Sequence, residues 1–229
     1  MNIGVVLSGC GVYDGSEIHE AVSTLLAIEQ NGGDYSCFAP NIIQHHTINH
    51  KTGEETKEKR NVLVESARIA RGNIADISSA RIDLLDGLVI PGGFGAAKNL
   101  TKWAFEGPDG EIISELRKLI IDMVAEGKPV VGLCMGPTVI AKAFQGTGLS
   151  IKLTVGNTTD DSPYDITEIS DAMNSTGAVS EMKSIKEICF DEDNLVITAP
   201  CYMMEASILE VYNNAKMAID KMFEVLNNQ

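Results

Sequence analysis

Short runs of apolar and β-branched residues recur along this chain, each ending at glycine or proline, with helical periodicity filling the stretches between them. Residues 2–7, carrying Ile3, Val5, Val6 and Leu7, run into Ser8-Gly9-Cys10-Gly11, and Tyr35 to Ala39 stops at Pro40. Leu88-Val89-Ile90 enters Pro91-Gly92-Gly93-Phe94-Gly95, and Pro129-Val130-Val131 enters Gly132-Leu133-Cys134-Met135-Gly136-Pro137. A last run, Leu195 to Ala199, stops at Pro200. Apolar runs without polar alternation read as strands buried on both faces.

Between them, a helix is expected from about Ser16, which can cap it, with Ile18, Val22, Leu25 and Leu26 as its apolar stripe and Gly32-Gly33 as its stop. A shorter helix spans about Asn61 to Arg71. Ile112, Ile113, Leu116, Leu119, Ile120, Met123 and Val124 mark the clearest helix, and a final one carries Val211, Ala215, Ile219, Met222 and Phe223. The alternation predicts an α/β fold: one domain over residues 1–229, a mostly parallel sheet with helices on both faces, and a hairpin or loop insertion at 41–60. In such sheets the site lies at the carboxyl ends of the strands.

Charge and cysteine usage narrow the function. Asp and Glu number 32 against 18 Lys and Arg, a net charge of −14. That balance argues against nucleic acid and anionic membranes as partners, and no run approaches the roughly 18 apolar residues of a membrane span. The five cysteines are odd in number and show no C-x-x-C spacing, which suggests reduced thiols and a cytoplasmic protein.

Gly132-Leu133-Cys134-Met135-Gly136 is the most specific motif. It matches a nucleophile elbow with Cys in the serine position, a tight strand-to-helix turn that lifts the central side chain above the sheet. The following helix N-terminus favours a thiolate at Cys134. The backbone amides of Gly93 and Met135 are candidates for an oxyanion hole at the same edge. Neither glycine-rich turn is a phosphate motif, because G-x-G-x-x-G fails at Asp14 and at Lys98. No cofactor and no metal is expected.

Glu17 falls at the start of the first helix, either complementing the helix dipole or reaching the elbow. His19, about 200° further round the helix, should point away from whatever Glu17 faces. His45, His46 and His50 crowd the polar 41–60 segment, and no histidine follows Cys134, so a Cys-His relay is not expected. Cys10 and Cys201, each just after a strand, are candidate second thiols near the site, while Cys37 and Cys189 are assigned to the core.

Four blocks together resemble the ElbB / ES-one family: Gly9 to Glu20, Cys37-Phe38-Ala39-Pro40, Asn61 to Gly72, and Pro91 to Leu100. That family belongs to the DJ-one/PfpI, class I glutamine amidotransferase-like superfamily. The resemblance extends through Asp191-Glu192-Asp193-Asn194 and so covers nearly the whole chain. It implies a flavodoxin-like sandwich, usually a homodimer, in which a glutamate after the first strand, matched to Glu17, contacts the elbow cysteine. It also implies a glutathione-independent glyoxalase of the glyoxalase III kind, acting on a small aldehyde through Cys134 and connected by name with isoprenoid biosynthesis. The alternatives are a redox-sensing or chaperone-like protein with an oxidisable Cys134 and, for want of a downstream His, more weakly a glutaminase or peptidase.

Overall fold

Strands that are apolar on both faces need cover on both sides, and the central strands here are buried along their whole length. The computed structural model describes residues 1–229 and runs β1 (Asn2–Val6), α1 (Ile18–Gln30), β2 (Asp34–Ala39), α2 (Val62–Ile69), β3 (Ile74–Asp76) and β4 (Gly87–Ile90). It continues through α3 (Trp103–Glu106), α4 (Ser114–Ala125), β5 (Val130–Leu133), α5 (Gly136–Phe144), β6 (Lys152–Gly156) and α6 (Ile166–Ser175). The last elements are β7 (Val179–Met182), β8 (Cys189–Asp191), β9 (Val196–Ala199) and α7 (Ile208–Asn227).

The main sheet has seven strands in the order β3-β2-β1-β4-β5-β9-β8. All neighbours are parallel except β8, which runs antiparallel to β9. This is the flavodoxin-like sandwich expected from the alternation. β6 and β7 form a separate two-stranded parallel sheet. The polar 41–60 segment folds as a hairpin-like excursion, with an Ile48–Glu55 bridge around the turn that ends at Gly53.

β1 and β4 lie side by side although the chain builds outward from them in opposite directions. Their carboxyl ends therefore form the crevice where doubly wound sheets bind ligands. Backbone hydrogen bonds stitch the two loops there: Glu17 N–H donates to Gly92 O at 3.0 Å, Phe94 N–H to Val12 O at 2.7 Å and Gly95 N–H to Gly15 O at 2.8 Å. The buried Asn99 amide donates to Ser8 O and Asp14 O, both at 2.9 Å, and fixes the β1–α1 loop.

The expected face of α1 is largely turned outward. Of its stripe, Leu25 is buried as expected, but Ile18, Val22 and Leu26 are 42%, 49% and 44% exposed, and the helix also buries Glu20, Ala21, Ser23, Thr24, Ala27 and Ile28. A four-residue apolar repeat locates a stripe but does not say which neighbour covers it. The cap also differs. Glu17 is the N-cap, accepting from Glu20 N–H, while the Ser16 hydroxyl turns inward and accepts from Ser8 N–H at 2.8 Å.

Candidate functional site

The elbow forms where the motif predicts it. Cys134 sits between β5 and α5 with φ of 55°, a left-handed conformation that L residues other than glycine rarely adopt, held by its N–H donating to Ala199 O at 3.0 Å. Gly136 makes the turn possible, because a side-chain carbon there would lie 2.4 Å from Ile90 O. The Cys134 side chain is 5% exposed and reaches a cavity of about 180 Å³ lined by Val12, Glu17, Phe94, Trp103, Met135, Tyr164 and Tyr202 among others.

Glu20, not Glu17, stands against the sulfur. Its carboxyl lies beside the Cys134 sulfur against Gly92, and its two oxygens accept from Gly92 N–H at 3.0 Å and Tyr202 N–H at 3.2 Å. The correction follows from the cap. Glu17 is spent on the first free amide of α1, at 2.7 Å, and Glu20, one helical turn on, lies on the buried side with no solvent exposure. Glu17 still lines the cavity.

Burial, reinforced by the Glu17 charge, pushes the Glu20 carboxyl up to about 8. Burial is also the largest influence on the Cys134 thiol, which it drives well above the ordinary thiol range with help from the Glu20 carboxylate and Cys201. The Gly93 N–H pulls the other way. Burial beside a carboxyl group thus favours the neutral thiol, against the thiolate expected from the helix N-terminus. A single helix N-terminus does not offset complete desolvation beside a carboxyl group. Neither the Gly93 nor the Met135 amide donates to any backbone or side-chain oxygen, and Gly93 N–H points at the sulfur. Both residues line the cavity, as the expected oxyanion hole requires.

The other sequence candidates separate cleanly. Cys201 is fully buried with φ of 47° and raises the Cys134 thiol by its proximity, so it does belong to this centre. Cys10 faces Arg68, Glu65 and Asp14 instead and does not line the cavity. Cys37 and Cys189 are buried. His45 and His46 pack on Phe105, with ring centroids 4.1 and 5.7 Å away, and His50 stacks on Tyr13 at 5.0 Å.

His19 was expected to turn from Glu17, yet its Nδ1 lies 3.8 Å from Glu17 Oε1 and 2.9 Å from the Tyr202 hydroxyl. The helical 200° offset does not apply, since Glu17 has the extended cap conformation with φ of −66° and ψ of 124°. Tyr202 and Tyr164 had no sequence signal. They come from segments distant in the chain and meet Cys134 only because β9 pairs with β5 and α6 folds over the cavity.

No protein-family model matches the chain. Over 227 residues it is 37% identical to a human protein named glutamine amidotransferase-like class 1 domain-containing protein 3, mitochondrial, covering 97% of this chain and 82% of the relative. It is equally 37% identical to ES1 protein homolog, mitochondrial, of Rattus norvegicus, covering 97% of this chain and 83% of the relative. The chain belongs to the ES-one (ES1) family. The ES1 protein, mitochondrial, of Danio rerio is 32% identical over 213 residues, covering 89% of this chain and 77% of the relative. Among solved structures, an isoprenoid biosynthesis protein with an amidotransferase-like domain from Ehrlichia chaffeensis superposes with a TM-score of 0.89 at 33% identity, covering 99% of both chains. DJ-1beta of Drosophila melanogaster shares the fold, with a TM-score of 0.56, 15% identity and coverage of 99% of this chain and 91% of that one.

These relatives overturn the cytoplasmic expectation, since all three ES-one proteins are named as mitochondrial. An odd number of unpaired thiols suggests a reducing compartment but does not choose among reducing ones.

Proposed function

We propose that this ES-one protein is a cofactor-independent glyoxalase, converting a small 2-oxoaldehyde such as methylglyoxal to the 2-hydroxy acid. The observation that carries the reading is the Cys134 thiol paired with Glu20 at one end of a mostly apolar cavity of about 180 Å³. That volume lies below the roughly 300–1,000 Å³ of drug-sized ligand sites and suits a substrate of a few carbons.

Glu20 takes the thiol proton as sulfur adds to the aldehyde carbon, and returns it to the new alkoxide oxygen to complete a hemithioacetal. As carboxylate, it then removes the C–H proton of that carbon. The resulting enediolate oxygen is held by the Gly93 and Met135 amides. Returning the proton to the neighbouring carbon leaves a 2-hydroxy thioester on Cys134, and water cleaves it to lactate and free thiol. Pairing with a nearby carboxyl group is what a thiol with a raised pKa requires for this chemistry.

The redox-sensing alternative has less support, because oxidant sensors rely on an accessible, low-pKa thiolate, whereas Cys134 is buried and its thiol raised. Purified protein given methylglyoxal without glutathione, nucleotide or metal is expected to form lactate stoichiometrically, as read by enzymatic lactate assay. Consumption of methylglyoxal without lactate would refute the reading.

The family resemblance implies a homodimer, and we propose from their exposure that a second copy of the chain covers Ile18, Val22 and Leu26 on α1. An arginine at the centre of a buried apolar patch costs about 2–4 kcal/mol. Val22→Arg is therefore expected to weaken self-association by roughly 30- to 10³-fold in sedimentation velocity. Unchanged sedimentation would remove α1 from the interface.

A further inference from the structure

Cleavage of the Cys134 thioester needs a group that accepts a proton from water entering through the cavity, whereas Glu20, in the reading above, serves only the sulfur and the carbon bonded to it. Glu20 has no exposed surface, does not line the cavity, and both its oxygens accept backbone N–H bonds. The mouth of the cavity offers a second set of groups. Glu17 and Tyr202 line both the inner cavity and the outer recess beside it, and His19 faces that recess. The Tyr202 hydroxyl lies 2.9 Å from His19 Nδ1, which in turn lies 3.8 Å from Glu17 Oε1.

We propose that Tyr202, His19 and Glu17 form a proton relay serving the hydrolytic half of the reaction, with His19 acting through the Tyr202 hydroxyl in place of a histidine beside the cysteine. This role rests on the glyoxalase reading above.

The relay works with a neutral His19 carrying its hydrogen on Nε2, leaving Nδ1 to accept from the Tyr202 hydroxyl. Water oxygen adds to the thioester carbon as its proton passes to Tyr202 Oη and the phenolic proton passes to His19 Nδ1. The imidazolium so formed lies beside the Glu17 carboxylate, which stabilises it. The carbon–sulfur bond then breaks, the relay returns the proton to sulfur, and the product leaves as a carboxylic acid that ionises in water. Burial and the Glu17 and Glu20 carboxyl groups raise the Tyr202 phenol, so it stays protonated and transmits a proton rather than storing a charge. Glu17 itself is fixed by its bond to Glu20 N–H at 2.7 Å, so the cap of α1 also positions the relay.

The test separates the two halves of turnover. His19→Ala and Tyr202→Phe are mixed with methylglyoxal, quenched in acid and examined by intact mass for an acyl group on Cys134, alongside steady-state lactate assays. Both variants are expected to load Cys134 as fast as wild type but release lactate about 10²-fold more slowly or worse, with the acylated enzyme accumulating. Added imidazole is expected to restore release in His19→Ala and not in Tyr202→Phe, a pattern that a merely structural role of His19 would not produce. Wild-type release rates in both variants, without accumulation, would overturn the relay and leave the glyoxalase reading standing. A wild type that forms neither adduct nor lactate would overturn both.

Discussion

Cys134→Ala is expected to abolish lactate formation from methylglyoxal, whereas Glu20→Gln keeps the nucleophile and lowers turnover by about 10²–10⁴-fold, the usual contribution of a positioned acid–base group. The pH profile separates the Glu20 role from a loss of folding. With its carboxyl raised to about 8, Glu20 is largely neutral at pH 7 and already holds the proton it would have to take from the thiol. Activity of the wild type should therefore climb as pH rises through about 8, and Glu20→Gln should lose that limb while keeping whatever residual rate remains.

Stability should move in the opposite direction. The unfolded carboxyl ionises near its ordinary value of 4.5 while the folded one holds its proton to about 8, so the folded state binds more protons across that window. Wild-type stability falls as pH rises between those values, and Glu20→Gln removes the slope. Chemical denaturation at pH 5, 7 and 9 measures it. A variant with wild-type turnover, or a wild type whose activity is flat between pH 6 and 9, would show that Glu20 does not serve Cys134.

What could be read from the sequence divides by how local the signal is. Cys134 was legible because an elbow is a five-residue pattern whose glycines are demanded by its own turn: the strand before and the helix after are contiguous with it. The parallel sheet was legible for a similar reason, since Val5-Val6, Val89-Ile90, Val130-Val131 and Val196-Ile197 are apolar on both faces.

Glu20 was not legible. The apolar repeat of α1, Ile18-Val22-Leu26, points outward, and assigning it inward hides the one buried carboxyl on the opposite side. Glu17 drew the assignment because the family resemblance matches its glutamate to that position, and the ordinary capping role weighed against it is what it performs. β7 was missed because it lies outside the main sheet with Val179 and Met182 exposed, and β6 was missed although Ile151 just before it and Leu153 and Val155 along it alternate and are buried. Tyr164 and Tyr202 carry no local signature at all, because walls of a cavity are chosen by topology rather than by neighbours in the chain.

Gly92→Ala is expected to damage the site more than its single added methyl group suggests. A side-chain carbon at Gly92 would lie 2.4 Å from Cys134 Cβ, 2.7 Å from Glu20 Oε2 and 2.9 Å from Cys134 Sγ, and all three atoms belong to buried groups with little room to retreat. Overpacking of this kind costs about 1–3 kcal/mol, which at this chain length is a loss of roughly 2–12 °C in Tm. The larger effect falls on turnover. The added carbon wedges between the thiol and the carboxyl that must exchange a proton with it, and a displacement of about 1 Å at a reacting pair costs on the order of 10²-fold. Gly53→Ala is the matched control. Gly53, unlike Gly92, has a positive φ, of 76°, but a carbon there meets nothing within 4 Å at the exposed turn of the 41–60 hairpin. It is expected to lose about 1–2 kcal/mol from backbone strain alone and to keep wild-type kcat. Should Gly92→Ala match that control in both Tm and kcat, Cys134 and Glu20 would not be held in the close contact from which the proposed chemistry starts.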